Sequence, residues 1–217
     1  MKIAGWQKLS LIDYPEKIAT VIFLAGCNMR CHYCHNRHIL DAQKNQLELK
    51  LVLDFLIKRK HFIEAVVVSG GEPTLYPDLI PLLEQLKQIG LLVKLDTNGT
   101  QPLLVQRIIE LGLVDYVALD VKATRKKYKL ITGVPFCNVF QTINYLKQQK
   151  QVKYMFRTTV SPLLNEQDLV EIGKNIVNGA QVWQIQQCRC DGAYSNQKIN
   201  EMAQLVKKYV QHLVVKI

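Results

Sequence analysis

The sequence predicts an α/β fold built from parallel strands, as an open or partial barrel rather than a closed one. Six apolar runs of strand length alternate with six amphipathic stretches along the 217 residues. Such alternation is typical of a parallel sheet with right-handed crossover connections. A closed eight-fold barrel needs two more strand–helix units. A doubly wound sheet is the alternative that periodicity leaves open.

The first half of the chain supplies three of these units. Residues 1–17 are expected to form an extended lead-in with a turn at Tyr14-Pro15. Strands are expected where β-branched and aliphatic residues run together, and helices where apolar residues recur every three or four positions. Gly90 and Gly112 stop two of the helices. The predicted strands are 18–24, 65–68 and 91–95, and the predicted helices are 51–60, 77–89 and 102–111.

The second half repeats the pattern three more times, after a longer loop that contains Thr132-Gly133-Val134-Pro135. The predicted strands are 116–119, 152–160 and 181–186, and the predicted helices are 139–149, 165–177 and 196–212. No linker-like or low-complexity stretch interrupts the alternation. We therefore expect residues 1–217 to form a single domain.

Composition narrows the class of protein. No apolar run approaches the length of a membrane span, and the N-terminus has no secretory hydrophobic region, so a cytoplasmic protein without membrane contact is expected. The formal net charge is +10, but the densest basic group, 122–129, has few interleaved aromatic residues. Nucleic acid is therefore not expected as a partner, whereas docking of an acidic protein remains open.

Three cysteines follow the first predicted strand with the spacing Cys27-x3-Cys31-x2-Cys34. Thiolates held so close together repel one another and need a shared cation or a covalent partner. A disulfide would leave one of the three unpaired. Zinc would need a fourth ligand, which His32 or His35 could supply, whereas a [4Fe–4S] cluster would use three thiolates and keep one iron open. The spacing predicts a metal centre and leaves both options open.

Unusual residues also follow the next three predicted strands. They are Gly70-Gly71-Glu72-Pro73, Asp96-Thr97-Asn98-Gly99 and Asp120-Val121-Lys122. In either α/β geometry the working face lies at the carboxyl ends of the strands, so these groups are expected beside the cysteine loop. The carboxylates in these groups could bind the amine of a ligand. The backbone amides and Lys122 could bind its carboxylate. A small zwitterionic ligand is predicted.

Taken together, these motifs resemble the radical S-adenosylmethionine superfamily. The three-cysteine motif with Tyr33 before its last cysteine, followed by Gly70-Gly71-Glu72-Pro73, carries the resemblance. It implies a partial (β/α)6 barrel over essentially the whole chain. It also implies that Cys27, Cys31 and Cys34 ligate a [4Fe–4S] cluster whose open iron binds S-adenosylmethionine. Reductive cleavage of that cofactor would give a 5′-deoxyadenosyl radical that abstracts hydrogen.

The resemblance implies roles for further residues. Tyr33 would lie near the adenine, and Gly70, Gly71 and Glu72 near the methionyl amine. Asp96 and Asp120 would lie near the ribose or a bound monovalent cation. The remaining expected cofactor contacts are Asn98, Lys122, Arg157, which would face the cofactor carboxylate or Glu72, and Gln186, which would meet the ribose. His35 is expected to hydrogen bond near the cluster rather than ligate it.

Within the superfamily, the stretch from Lys8 to Pro15 and the Cys-His-Tyr-Cys-His-Asn sequence are similar to glycyl-radical-enzyme activases. The group that they resemble most comprises the activating proteins of anaerobic ribonucleoside-triphosphate reductase. This implies a glycyl radical enzyme as protein substrate and a flavodoxin- or ferredoxin-like electron donor. The alternatives are a small-molecule enzyme such as 7-carboxy-7-deazaguanine synthase, and a zinc-binding interaction module.

Three cysteines lie outside the motif, namely Cys137, Cys188 and Cys190. Three scattered cysteines cannot hold a second cluster alone. Ordinary half-buried cysteines are expected, with a redox or metal role as the alternative.

Overall fold

One eight-stranded sheet, whose strands lie in chain order, organises the computed structural model, which describes residues 1–34, 37–40 and 47–217. Strands β2 to β8 are parallel to their neighbours, whereas β1 runs antiparallel to β2. The strands are β1 (Ile3–Ser10), β2 (Ala19–Leu24), β3 (Ala65–Gly70), β4 (Leu92–Thr97), β5 (Tyr116–Asp120), β6 (Lys153–Val160), β7 (Val182–Gln187) and β8 (His212–Lys216).

Eight helices connect these strands within the described residues. They are α1 (Arg37–Leu40), α2 (Leu49–Arg59), α3 (Leu79–Gln88), α4 (Pro102–Glu110), α5 (Tyr128–Thr132), α6 (Cys137–Gln148), α7 (Glu166–Asn175) and α8 (Asn196–Val206). Local chemistry fixes several ends: Asn165 and Asp168 form a capping box at α7, and Ser195 caps α8. None of the described helices is long and apolar enough to cross a membrane.

The sheet has apolar side chains on both faces, because successive residues of a strand point to opposite sides. Residues such as Ile22, Val66 and Leu119 belong to the large core that includes the helices. Alternate residues of the same strands, including Val21, Val67 and Ala118, form a second and smaller apolar cluster. Strands β1 and β8 are the two ends of the strand order. The expected α/β fold with a mostly parallel sheet is confirmed, in the form of an open barrel.

The six predicted strands and the first five predicted helices are confirmed to within about two residues. Within the extended lead-in, residues 3–10 form strand β1, an antiparallel ladder with β2, and the expected turn follows, where the Lys17 amide donates to the Tyr14 carbonyl at 3.4 Å. The last predicted helix, 196–212, is wrong at its end: α8 stops at Val206, and His212–Lys216 is strand β8. Burial alternates along β8, where Leu213 and Val215 pack against the core. Pairing with β7 holds this segment extended, which is why the helix does not continue into it.

The ends of β2 and β3 approach each other so closely that only glycine fits between them. Gly70 has φ +120°, and a Cβ on Gly71 would lie 1.9 Å from the carbonyl oxygen of Gly26. The amide of Gly71 donates to the carbonyl of Leu24 at 2.9 Å, and the amide of Glu72 donates to that of Gly26 at 2.8 Å. The glycine motif therefore lies against the start of the cysteine loop.

Replacing Gly71 with alanine is expected to lower the free energy of unfolding by about 1–3 kcal/mol, because the backbone of the cysteine loop must move away from the new methyl group. Chemical denaturation of the purified protein measures this change. Gly5→Ala is the matched control, since its Cβ would meet nothing closer than 3.5 Å. Equal stabilities of the two variants would contradict the packing role of Gly71.

Candidate active site

The cysteine loop, defined here as residues 25–34 after β2, has two faces. Cys27, Met29, Cys31, Tyr33 and Cys34 line a cavity of about 250 Å³. The intervening residues Asn28, Arg30 and His32 are exposed. This alternation brings all three thiols of the motif to one cavity.

The same cavity collects residues from the carboxyl ends of strands β3 to β7. Every described residue that the sequence singled out for the site lines it: Cys27, Cys31, Tyr33, Cys34, Gly70, Gly71, Glu72, Asp96, Asn98, Asp120, Lys122, Arg157 and Gln186. His35 lies outside the described residues. The expectation that strand ends converge on the cysteine loop agrees with this placement, while the role of each residue stays a prediction.

The thiols have the surroundings that an iron–sulfur cluster needs. The Met29 amide donates to the Cys27 sulfur at 3.3 Å, and Asn98 Nδ2 lies 3.8 Å from the same atom. Burial raises the pKa values of the Cys27 and Cys31 thiols, while the Lys122 ammonium counteracts this rise. Three sulfur donors, one of which accepts amide hydrogen bonds, and a nearby cation fit such a cluster.

No three His, Cys, Asp or Glu side chains among residues 1–34, 37–40 and 47–217 surround one position closely enough to hold a single metal ion. A cluster differs from a single ion in this respect, because each of its irons takes one thiolate and the thiolates need not share a centre.

Glu72 is completely buried and accepts four hydrogen bonds. Its Oε1 accepts from the Thr74 amide, the Thr74 hydroxyl and the Thr97 hydroxyl at 3.1, 2.5 and 2.7 Å, and its Oε2 accepts from the Asn98 amide at 2.6 Å. Burial raises the pKa of Glu72, and the four donors oppose the rise. Glu72 thus joins the ends of β3 and β4 beneath the cavity.

A chain of five alternating charges crosses β4, β5 and β6. Lys94 Nζ lies 2.6 Å from Asp96 Oδ1, and Arg157 bridges Asp96 Oδ2 at 3.3 Å and Asp120 Oδ1 at 2.6 Å. Lys122 Nζ completes the chain 3.1 Å from Asp120 Oδ2. Arg157 thus pairs with two aspartates, so the suggested contact with Glu72 is wrong. We call this set the charge chain.

The charge chain keeps both carboxyl groups ionised. Burial by itself would raise their pKa values. Lys94 and Arg157 outweigh this effect at Asp96, and Arg157 and Lys122 outweigh it at Asp120, so both pKa values lie below their usual range.

Three other predicted residues have defined neighbours. Asn98 Nδ2 donates to Asn28 Oδ1 at 2.9 Å and so ties the end of β4 to the cysteine loop. Gln186 donates to the Thr159 hydroxyl at 2.7 Å. The buried Tyr33 hydroxyl has no hydrogen-bond partner within the described part of the chain, so a polar partner can still be accommodated there.

Sequence reasoning missed several residues of this cavity. Asp13, Ser69 and Thr159 line it, and Lys94 reaches it through Asp96. Lys94 had a signal that could have found it, because it is a charged residue in the apolar strand Leu91 to Leu95 and lies two positions before Asp96. Asp13 had none, since it comes from the turn after β1.

The cysteines outside the motif differ from the expectation in one respect. Cys188 and Cys190 are joined in a disulfide, with Cα atoms 5.5 Å apart, so the prediction of ordinary half-buried cysteines is wrong for this pair. Cys137 is free and exposed.

The fold and the site together define an α/β enzyme that works at the carboxyl ends of a mostly parallel sheet, beside a loop of three cysteines. Residues 21–176 match the family described as the radical SAM superfamily. The chain belongs to this superfamily, which implies a [4Fe–4S] cluster and S-adenosylmethionine as cofactors.

Two relatives assign the chain to the activase group of the superfamily. A Methanocaldococcus jannaschii protein, provisionally named a glycyl-radical enzyme activating enzyme, is 36% identical and covers 99% of this chain and 95% of its own length. The pyruvate formate-lyase-activating enzyme of Clostridium pasteurianum is 31% identical, covering 82% of this chain and 78% of its own.

Solved structures share the fold at lower identity. Streptococcus suis SuiB bound to precursor peptide SuiA is 16% identical with a TM-score of 0.71 over 89% of this chain, which spans about half (48%) of the SuiB chain. Escherichia coli QueE is also 16% identical, with a TM-score of 0.59 over 99% of this chain and 93% of its own. These likenesses concern the fold alone.

Replacing Glu72 with glutamine is expected to lower the free energy of unfolding by about 1–3 kcal/mol. Whichever way the amide is turned, its NH2 group faces the amide N–H of Thr74 or Asn98 and leaves one donor unpaired. Denaturant titration checks this, with exposed Glu84→Gln as the control, for which a change within about 0.5 kcal/mol is expected. A Glu72→Gln variant as stable as the control would overturn the joining role.

Proposed function

We propose that this enzyme holds a [4Fe–4S] cluster on Cys27, Cys31 and Cys34, cleaves S-adenosylmethionine reductively, and removes a hydrogen from a backbone glycine of a partner glycyl radical enzyme. The cluster, when bound and reduced, supplies the electron that breaks the sulfonium bond. Anaerobic ribonucleotide reductase is the first candidate for the partner.

One observation carries the proposal. The three thiols, four members of the charge chain (Asp96, Asp120, Lys122 and Arg157) and Gln186 all line a single cavity at the strand ends. The activase relative from M. jannaschii, which is similar over nearly the full length of both chains, supports the same proposal. A radical enzyme needs its reducing centre and its substrate site next to each other, and this cavity brings the thiols and the polar groups together.

The chain's own residues divide the work in this proposal. Asp120 lies beside Lys122 and raises the pKa of its ammonium group, so Lys122 stays protonated. It presents this positive charge for the cofactor carboxylate. Tyr33 presents a buried hydroxyl with an unmet hydrogen bond towards the cofactor's adenosyl part. Gln186 lies where a ribose hydroxyl can replace its bond to Thr159. Glu72 and the glycines hold the cavity floor in place.

A cation, a compartment, the domain and the electron donor complete the proposal. A monovalent cation at Asp96 and Asp120 would compete with Lys94, Arg157 and Lys122, which already neutralise both carboxylates. A cytoplasmic location suits four free thiols, although the Cys188–Cys190 disulfide is atypical of that compartment. We take residues 1–217 as one radical SAM domain and a flavodoxin- or ferredoxin-like protein as the electron donor.

The alternatives are weaker. The hypothesis of a zinc-binding module is set aside, because the chain belongs to the radical SAM superfamily. That hypothesis also left the glycine motif and the strand-end carboxylates unexplained. A 7-carboxy-7-deazaguanine synthase is supported only through fold likeness to QueE at 16% identity.

The proposal is tested by anaerobic reconstitution with iron and sulfide, reduction, and assay of 5′-deoxyadenosine after addition of S-adenosylmethionine. Cys31→Ala is expected to lose cluster binding, because one of the three thiolates is removed. Cys137→Ala is the control, since that thiol is exposed and outside the loop. Iron, sulfide and visible absorption report the cluster directly. Full iron content in Cys31→Ala would refute the ligand assignment.

Replacing Lys122 with alanine is expected to weaken S-adenosylmethionine binding about tenfold or more, through loss of a charge-assisted hydrogen bond. Iron content should change little, because Arg157 still neutralises Asp120. Equilibrium binding to the reconstituted protein measures the effect, with exposed Lys150→Ala as the control. Equal affinities in both variants would remove Lys122 from the cofactor site.

A further inference from the structure

The exposed face of the cysteine loop is held by arginines. Arg30 Nη1 donates to the carbonyls of Cys27 and Met29 at 2.6 and 2.9 Å, and Arg37 Nη2 donates to that of His32 at 2.7 Å. Both arginines are exposed. The backbone that would carry the cluster therefore has positive charge directly on its solvent side.

Helix α5 extends this charge. The amide of Arg30 donates to the carbonyl of Thr132, the last residue of α5, at 2.9 Å, so the helix lies directly beside the cysteine loop. The segment that leads into α5 and the helix itself carry the exposed cations Arg125, Lys126 and Lys129. Among them lies Leu130, which is 77% exposed. We call Arg30, Arg125, Lys126, Lys129 and Leu130 the basic face.

Negative charge is missing from the sequence of this region. Residues 17–40 and 121–165 contain 12 of the 28 lysines and arginines and none of the 18 aspartates and glutamates. The basic side chains within the interior are neutralised by aspartates from elsewhere: Lys122 by Asp120, and Lys127 by Asp168. The side chains of Lys126 and Lys129 have no ion-pair partner among the described residues.

We propose that the basic face is the docking site of an acidic one-electron donor protein of the flavodoxin class. This rests on the proposed function, since it assumes a cluster on the cysteine loop. One electron passes from the donor's reduced flavin to the cluster, and no bond is made or broken. An exposed apolar residue surrounded by cations is the complement of an acidic patch around a flavin edge.

The geometry favours an electron donor over the glycyl radical enzyme as the occupant. A glycine must enter the cavity to lose its hydrogen, so the partner that carries it must contact the residues that line the cavity. An electron has only to reach the thiols, and the exposed Arg30 is bonded directly to the backbone of Cys27 and Met29 beside them. Surface charge of one sign also accelerates encounter with an oppositely charged protein.

The test compares Lys126→Glu/Lys129→Glu with Lys150→Glu/Lys153→Glu in reconstituted protein. The control pair makes the same charge change in the same acid-free stretch, but at the junction of α6 and β6, away from the carboxyl ends of the strands. Reduction of the cluster is monitored as the loss of visible absorption. It is measured once with flavodoxin hydroquinone and once with dithionite as the reductant. Flavodoxin binding is measured separately by calorimetry at low and high salt.

The first variant is expected to be reduced by flavodoxin at least about tenfold more slowly than the wild type and to bind it more weakly, with a smaller effect of salt. Its reduction by dithionite, and that of the control by either reductant, should be unchanged. Equal rates with flavodoxin in both variants would overturn the inference. A second result would also overturn it. In that case flavodoxin reduces the Lys126→Glu/Lys129→Glu variant normally, but the variant reduced by dithionite no longer forms a glycyl radical on the partner.

Failure of the proposed function gives a different result. If the wild type is reduced normally yet forms no 5′-deoxyadenosine with either reductant, the radical chemistry is refuted, while salt-sensitive flavodoxin binding that requires Lys126 and Lys129 still supports the docking site.

Discussion

The charge chain from Lys94 to Lys122 is the interaction on which the active-site architecture depends. Charged groups are costly to remove from water unless each finds an opposite partner, and removal of one partner leaves the other uncompensated. Arg157 meets this need for two aspartates at once, and so ties β4, β5 and β6 together at their carboxyl ends. Three cations face two carboxylates, which leaves one positive charge in the chain. That excess lies near the cysteine thiols, where it counteracts the effect of burial on their pKa values.

The neighbouring strands are held by neutral donors to a single buried carboxylate. Glu72 receives the amides and hydroxyls that follow β3 and β4, and the glycines before it let β3 reach the backbone of the cysteine loop. The cavity therefore has a rigid frame on both sides: ion pairs across β4 to β6, and hydrogen bonds with close backbone packing across β2 to β4. A site held in this way keeps its polar groups oriented without rearrangement, which is what electrostatic preorganisation requires.

Sequence alone predicted the cavity because parallel strands bring their carboxyl ends to one edge, so Cys27, Glu72, Asp96 and Asp120 had to converge once the alternation was recognised. It failed where long-range pairing decides. Residues 3–10 and 212–216 became strands only through ladders with β2 and β7. The partners of Arg157 followed from strand register, which periodicity does not encode. The same holds for Asp13, which a turn distant in sequence delivers to the cavity.

Buried and exposed residues alternate along the cysteine loop. Cys27, Met29 and Cys31 line the cavity while Arg30 is exposed, so one short segment lies between the cavity and solvent. A partner that delivers hydrogen and a partner that delivers an electron then need different properties: the first must fit a narrow interior, the second only a charged exterior. The interior is fixed by the charge chain and Glu72, whereas the exterior is free to vary in charge without disturbing them. If the basic face is the docking site proposed above, its charges can change with the electron donor while the cavity stays unchanged.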